Sequence, residues 1–383
     1  MIYLDNSATT YPKPKVVRAA VQNGLIYYGA NPGRSGYQMS MRTSRMIYLT
    51  RKRIASFFHM DKEENAIFTP SCTSSLNMVI KGVLQKGDHV IISSLEHNSV
   101  VRPLEKLKRK GIIIYSVAKV YENENDKTID AFRSCINEKT RMMVVTHASN
   151  VFGIRLPIER LCALAHHYHI LFCVDAAQSA GVLPINMEEN GYDFVCCAGH
   201  KGLMGLMGSG LLLINSDTLT DTLIEGGTGS ESSSLILPSY LPDRLESGTG
   251  NVLGICAMGA GVDFINRIGR ERIYQREIGH IQTVYHDLKE MKNVQLYTDY
   301  PDEDHYAPVL SFSLKGMESE SIAKALDERY GICVRAGLHC APLAHQSMGS
   351  DTFGTVRISP SYFSTDHDMR ILRDAVYKIS KYA

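Results

Sequence analysis

Positive and negative charge nearly cancel: the 383 residues carry a formal net charge of +1. That removes the electrostatic argument for a nucleic-acid partner or an anionic membrane surface. No apolar run approaches the roughly 18 residues that a membrane span needs. The opening "MIYLDNSATT" has no basic region followed by an apolar one, so no secretory signal is read there. The expected location is the cytoplasm. No CxxC pair occurs, and nine cysteines are an odd number scattered over a long chain, which does not suit a disulfide framework. Cys173, Cys196 and Cys197 lie inside apolar runs and read as buried free thiols. His166, His167 and His169 in "AHHYH" raise the question of a metal, but they read better as imidazoles at a helix C-terminus, where the dipole favours them. No metal site is expected. Internal repeats, low-complexity tracts and linkers are also absent.

What is present is ordinary globular material, 44% hydrophobic and 21% charged, long enough for about two domains. From about Asp61 to Ile214 short apolar runs alternate with helical stretches. "NAIFT" precedes a helix over Thr73–Leu84, "HVIISS" another over Ser99–Lys110, and "RMMVVTHAS" a third over Ile158–His169. "GIIIYSV", "ILFCVDAA", "YDFVCCA" and "GSGLLLI" complete the series. Near-continuous apolar strands alternating with helices predict an α/β fold with a mostly parallel sheet covered on both faces. From about Gly254 a long helical pattern runs to Lys292. Strands at "VQLYT", "APVLSFSL", "ICVRAG" and "GTVRIS" follow, with helices near Glu318–Arg329 and from Asp366. The expected division is a large α/β domain over 15–253 and a smaller α+β domain made of 1–14 with 254–383.

Ligands of α/β sheets bind beyond the carboxyl ends of the strands. The polar residues there are Ser71-Cys72-Thr73, Glu96-His97-Asn98, His147 with Asn150, Asp175 with Gln178, and His200-Lys201. Singly, each is most simply a turn former or helix cap; together they converge on one sheet edge. Lys201, in "CCAGHKGLMG", follows a buried strand, where an ammonium without a partner is costly. A lysine in such a place loses its proton readily and can attack an aldehyde. An aspartate facing a pyridinium nitrogen keeps that ring an electron sink. A helix N-terminus behind small hydroxyl residues, as in "TPSCTSSLN", suits a phosphate. A histidine can stack on the ring. The set describes pyridoxal 5′-phosphate.

Eight blocks in order, "YLDNSATT", "LEHNS", "THASNVFG", "VDAAQSAG", "AGHKGLMGLMGSG", "LESGTGN", "VRAGLHCAPLAH" and "VRISPSYFST", span essentially the whole chain. They resemble the class V, fold-type I pyridoxal-phosphate enzymes and among them the cysteine desulfurases. The resemblance implies that Lys201 holds the cofactor as a Schiff base, Asp175 pairs with its ring nitrogen, and Gln178 and Asn150 approach its phenolic oxygen. It further implies that His97 stacks on the ring and shuttles protons, and that Thr73, His200 and the backbone of Cys72 bind the phosphate. Thr249 would reach the phosphate of a neighbouring subunit, which implies a homodimer. Arg357 would pair with the substrate α-carboxylate, a task suited to a guanidinium, and Asn150 would also contact the substrate.

The resemblance also gives Cys340 a task. It would attack the sulfur of L-cysteine, become a persulfide and release L-alanine. Arg335 stands nearby, and cationic neighbours favour a reactive thiolate. The short segment before Cys340 is similar to that of desulfurases that depend on an acceptor or scaffold protein to draw off sulfur, in pathways such as iron–sulfur cluster assembly. Selenocysteine lyases share the framework. The sequence departs from the family at Ala198, where a serine is usual, and at Ser71 and Ser74 in "PSCTSS", where Gly-Thr-Thr-Glu is usual. An aminotransferase or lyase of the same class would need Lys201 and Asp175 but not Cys340. A catalytically idle binding partner would need none of them.

Overall fold

A computed structural model describes residues 1–33, 36–219 and 221–381. The apolar runs assemble into a seven-stranded sheet in the order Ala66–Thr69, Gly210–Ile214, Phe194–Ala198, Leu171–Asp175, Thr140–Thr146, His89–Ser93, Ile114–Ala118. Gly210–Ile214 runs antiparallel to both its neighbours; the remaining pairs are parallel. The sheet is therefore mostly parallel, as the sequence predicts. Its inner strands are apolar throughout because both faces are covered. Val90, Ile92, Val144 and Cys173 pack into one core cluster, and Ile91, Val145, Phe172 and Val174 into another. The second cluster continues into the C-terminal part through Ile278, Phe312, Val356 and Leu372.

Two predicted elements divide. The helical pattern from Gly254 to Lys292 is two helices, Val252–Ile268 and Arg270–Lys289, whose axes differ by 83°. They break at Gly269, which sits at φ 92°, a conformation open to glycine at little cost. "ICVRAG" likewise becomes two strands in different sheets. Ile332–Cys333 pairs in parallel with Ile2–Tyr3, and Arg335–Gly337 pairs antiparallel with Thr355–Ile358. The latter belongs to a four-stranded sheet completed by Leu310–Leu314 and Val294–Leu296. The N-terminal segment is thereby tied to the C-terminal part. Helices Lys15–Tyr27, Gln38–Phe57 and Asn125–Cys135 lie outside the elements named from the sequence. Among the described residues no single helix is long and apolar enough to cross a membrane.

Candidate active site

The carboxyl ends of the six co-directional strands share one edge, and a cavity of about 90 Å³ opens there. Thr73, His97, Asn150, Asp175, Gln178, His200 and Lys201 all line it. Most of the polar strand ends named from the sequence thus converge, but Glu96, Asn98 and His147 do not line the cavity, and Glu96 and His147 are buried.

Lys201 stands in a loop clamped from two sides. The N-terminal segment lies across it: Thr10 Oγ1 donates to Lys201 O at 2.6 Å, and Thr10 N and Lys13 Nζ donate to His200 O at 3.0 and 2.9 Å. On the other side Gly202 touches backbone, since a Cβ there would lie 2.4 Å from Ala180 O. Burial lowers the Lys201 pKa, partly opposed by the Asp175 carboxylate, while Arg357 and Arg335 push it lower still. The amine is therefore more nucleophilic than a surface lysine's.

Asp175 ends its strand 3% exposed. Its Oδ1 accepts from Ala177 N at 2.9 Å and from the thiol of Cys72 at 3.4 Å. His97 caps the helix Asn98–Arg109: its Nδ1 accepts from Ser99 N at 3.0 Å, which assigns the ring proton to Nε2. Burial brings the pKa of His97 down to about 4, with Asp175 opposing and Lys201, Arg335 and Arg102 reinforcing. The imidazole is neutral at neutral pH.

The cradle for an anion is built from His200 and the helix Cys72–Val83. Ser71 caps that helix by accepting from Ser74 N at 3.1 Å, and helix N-termini leave backbone N–H groups without intrahelical partners. Gly210 allows the neighbouring strand to approach, since a Cβ there would come within 2.9 Å of Cys72 N. His200 Nδ1 is buried without a hydrogen-bond partner among the described residues. A phosphate at this helix end would give it one. Ala198 forms part of the wall and offers no hydroxyl. A flat ring set between His97 and Asp175, with an aldehyde toward Lys201 and a phosphate toward His200, suits these donors.

Asn150 joins this edge to the C-terminal part. Its Nδ2 donates to His339 O at 2.8 Å, and its backbone carbonyl accepts from Arg357 Nη1 at 2.9 Å. Gln178 Nε2 donates to Ser7 O at 3.2 Å. Both amide nitrogens retain a second N–H for a ligand. Arg357 is 1% exposed and does not itself line the cavity. Asp5 Oδ1 lies 2.6 Å from its Nη2, and its Nε has no partner among the described residues. Cys340 is exposed, with Arg335 Nη2 3.6 Å from Sγ, and its carbonyl accepts from Asn98 N at 2.8 Å, next to His97.

Thr249 is not brought to Lys201 within one chain. It is exposed and lines a separate cavity of about 600 Å³ with Arg51, Asp243 and Glu246. Sequence reasoning missed Asp5, Thr10 and Lys13. Asp5 and Thr10 lie in the block "YLDNSATT", which carried no assigned chemistry, and Lys13 lies just beyond it. His166 and His167 end their helix as expected, with His166 Nε2 2.9 Å from Asp193, but His169 lies beyond the helix in left-handed backbone.

This fold and this edge define a pyridoxal-phosphate enzyme of fold-type I. The profile of the aminotransferase class-V family matches residues 2–372, and the chain belongs to that family, whose members depend on pyridoxal phosphate. A probable cysteine desulfurase from Methanothermobacter thermautotrophicus is 32% identical, over 99% of this chain and 94% of that protein. One from Mycolicibacterium paratuberculosis is 29% identical over all of this chain but only 56% of its own length. The apo structure of a cysteine desulfurase from Thermococcus onnurineus superposes with a TM-score of 0.92 at 30% identity, covering 100% of this chain and 95% of that one.

Proposed function

We propose that this protein is a cysteine desulfurase, converting L-cysteine to L-alanine with the sulfur held as a persulfide on Cys340. The observation that carries the reading is the place of Cys340: an exposed thiol beside Arg335, anchored through Asn98 to the residue that stands over the Lys201 cavity. A class V transaminase has no use for such a thiol.

Bound at Lys201, pyridoxal phosphate supplies the electron sink that lets the substrate α-carbon lose its proton. The chain's own residues do the rest. Asp175 would hold the ring nitrogen's charge, His200, Thr73 and the Cys72 backbone would hold the phosphate, and Gln178 and Asn150 would orient the ring oxygen. His97, neutral with its proton on Nε2, exchanges protons with the substrate. Arg357 orients the α-carboxylate, with Asn150 beside it. Cys340, as thiolate, attacks the substrate sulfur. The S–S bond forms as the C–S bond breaks, the β-carbon takes a proton, and alanine leaves. One thiol and one cysteine become one persulfide and one alanine, so no outside oxidant is required.

Thr249, exposed and remote from Lys201 in its own chain, supports a homodimer in which it completes the neighbour's phosphate site. An exposed persulfide suits delivery to an acceptor or scaffold protein, for iron–sulfur cluster assembly or another sulfur pathway in the cytoplasm. Selenocysteine fits the same chemistry.

The test is Cys340→Ser. The variant should keep its cofactor and its absorbance change on adding cysteine, yet release almost no alanine. Wild-type protein exposed to cysteine and then alkylated should carry one extra sulfur on the Cys340 peptide. Wild-type turnover by Cys340→Ser would return the protein to the aminotransferase or lyase reading.

A further inference from the structure

Cys340 and the residue before it both adopt left-handed backbone, at φ 57° for Cys340 and φ 49° for His339. Residues with a Cβ persist there only when their surroundings hold them. Part of the hold is backbone: Asn150 Nδ2 reaches His339 O and Asn98 N reaches Cys340 O, both at 2.8 Å. The rest runs through side chains. His339 Nε2 lies 3.3 Å from Arg335 O, which can only accept, so Nε2 carries the ring proton. His339 Nδ1 must then accept, and His345 Nε2 stands 3.4 Å away to donate. That leaves His345 Nδ1 to accept from the hydroxyl of Ser350 at 2.8 Å. The Arg335 carbonyl thus sets the order of donors along the chain. All three side chains are buried, His345 completely, and the two imidazole planes lie within 11° of parallel. Burial and the guanidiniums of Arg357 and Arg335 hold the pKa of His339 down to about 2, so the neutral forms that the chain of bonds needs are the ones present.

We propose that His345 and Ser350 are positioning residues for Cys340: by fixing the His339 ring they hold the left-handed turn that presents the thiol. Neither lines the Lys201 cavity. They act through His339 on the step that uses the thiol and leave cofactor and substrate binding alone. The proposal rests on the reading of Cys340 as the sulfur-accepting thiol.

The test uses the holoenzyme with Ser350→Ala, which removes the terminal donor, Ser350→Thr, which keeps it, and His345→Phe, which retains a ring against Phe152. Ser350→Ala and His345→Phe should lower kcat on the order of tenfold, as misplacement of a reacting group does. KM for cysteine and the cofactor absorbance should stay within about twofold of wild type, a change too small to count as lost binding energy. Amide exchange should rise in the Leu338–Ala341 peptide alone, and Ser350→Thr should restore both kcat and protection. Unchanged exchange in that peptide overturns the proposal. So does exchange that rises throughout the protein, or a Ser350→Thr variant as slow as Ser350→Ala. Wild-type turnover by Cys340→Ser would instead overturn the desulfurase reading, while the exchange data still decide whether the clamp exists.

Discussion

Behind the Lys201 loop lies a carboxyl whose titration should be visible in the stability of the whole protein. Glu277, on the helix Arg270–Lys289, is 6% exposed and lines a small cavity with Gly202, Met204 and Ser361. Burial raises its pKa from 4.5 to about 8, with a backbone hydrogen bond from Tyr362 only partly opposing. Between those two values the folded protein holds a proton that the unfolded chain has released. Stability from this group is therefore complete below pH 4.5 and is lost progressively as the pH rises to about 8. At about 1.4 kcal/mol per pH unit, less as the folded carboxyl nears half-ionisation at about pH 8, going from pH 6 to pH 8 removes about 2 kcal/mol. Glu277→Gln is close to isosteric, can still accept from Tyr362, and does not titrate. The difference in unfolding free energy between variant and wild type should then shift by about 2 kcal/mol in the variant's favour between pH 6 and pH 8. Urea unfolding at fixed protein and saturating cofactor concentration measures it. Glu96 shows the same upward shift to about 8, so wild type should keep part of its slope in the variant. Parallel pH profiles for the two proteins would refute the reasoning.

Asp175→Asn should lower kcat at least tenfold, about 1.4 kcal/mol of lost transition-state stabilisation, because an amide cannot hold the charged ring nitrogen; full turnover would reject the assignment. Lys201→Ala and Thr249→Ala should each be inactive, yet mixing them should restore activity through hybrid dimers, an outcome that a monomer in sedimentation would rule out. Asp5→Ala leaves the buried Arg357 guanidinium without its carboxylate, which should cost on the order of 3 kcal/mol of stability. A saturating amino-acid carboxylate such as L-alanine should recover more stability in that variant than in wild type; equal thermal shifts would count against Arg357 as the carboxylate site.

Much of this site was legible because its residues sit where the chain must change direction. Buried strands such as Phe194–Ala198 read as apolar runs, and the turn after each exposes a polar residue at a place fixed by the sheet. Lys201, Asp175 and His97 are found that way. The helix Gln38–Phe57 was not, because its serines, threonines and arginines give no clear apolar stripe and its buried face meets another helix far along the chain. Asp5 was missed for a related reason. Its partner, Arg357, lies 352 residues away, and the two meet because Asp5 bridges to Ser359 while Ile2–Tyr3 pairs with Ile332–Cys333. The break at Gly269 is a matter of backbone conformation, and a lone glycine inside a helical pattern leaves that choice open. The chain from His339 to Ser350 is local in sequence. It still depends on two left-handed residues that no propensity scale favours.

The register of the small sheet explains why charge gathers at the cysteine. Arg335 and Arg357 are cross-strand partners between Arg335–Gly337 and Thr355–Ile358. Like charges directly opposite one another destabilise an antiparallel pair, and Arg335 does push the Arg357 pKa down alongside burial. A fold selected for stability alone would not place two guanidiniums there. Such a breach of the local rule is expected where a site needs the charge. On the proposed function two groups need it at once, a substrate carboxylate at Arg357 and the Cys340 sulfur beside Arg335. Asp5 holds Arg357 from the N-terminal strand, and Asn150 ties it to the large sheet. The same Asn150 holds the carbonyl before Cys340. One asparagine therefore ties Arg357, through its backbone carbonyl, and the turn at Cys340, through its side-chain amide, to the edge that carries the Lys201 cavity. Asn150→Ala removes the amide that holds the His339 carbonyl and would contact the substrate, but keeps the backbone carbonyl that accepts from Arg357. It should therefore lower kcat through the displaced Cys340 and raise KM through the lost substrate contact, whereas Ser350→Ala acts on kcat alone. If Asn150→Ala changed only KM, its amide would not position Cys340.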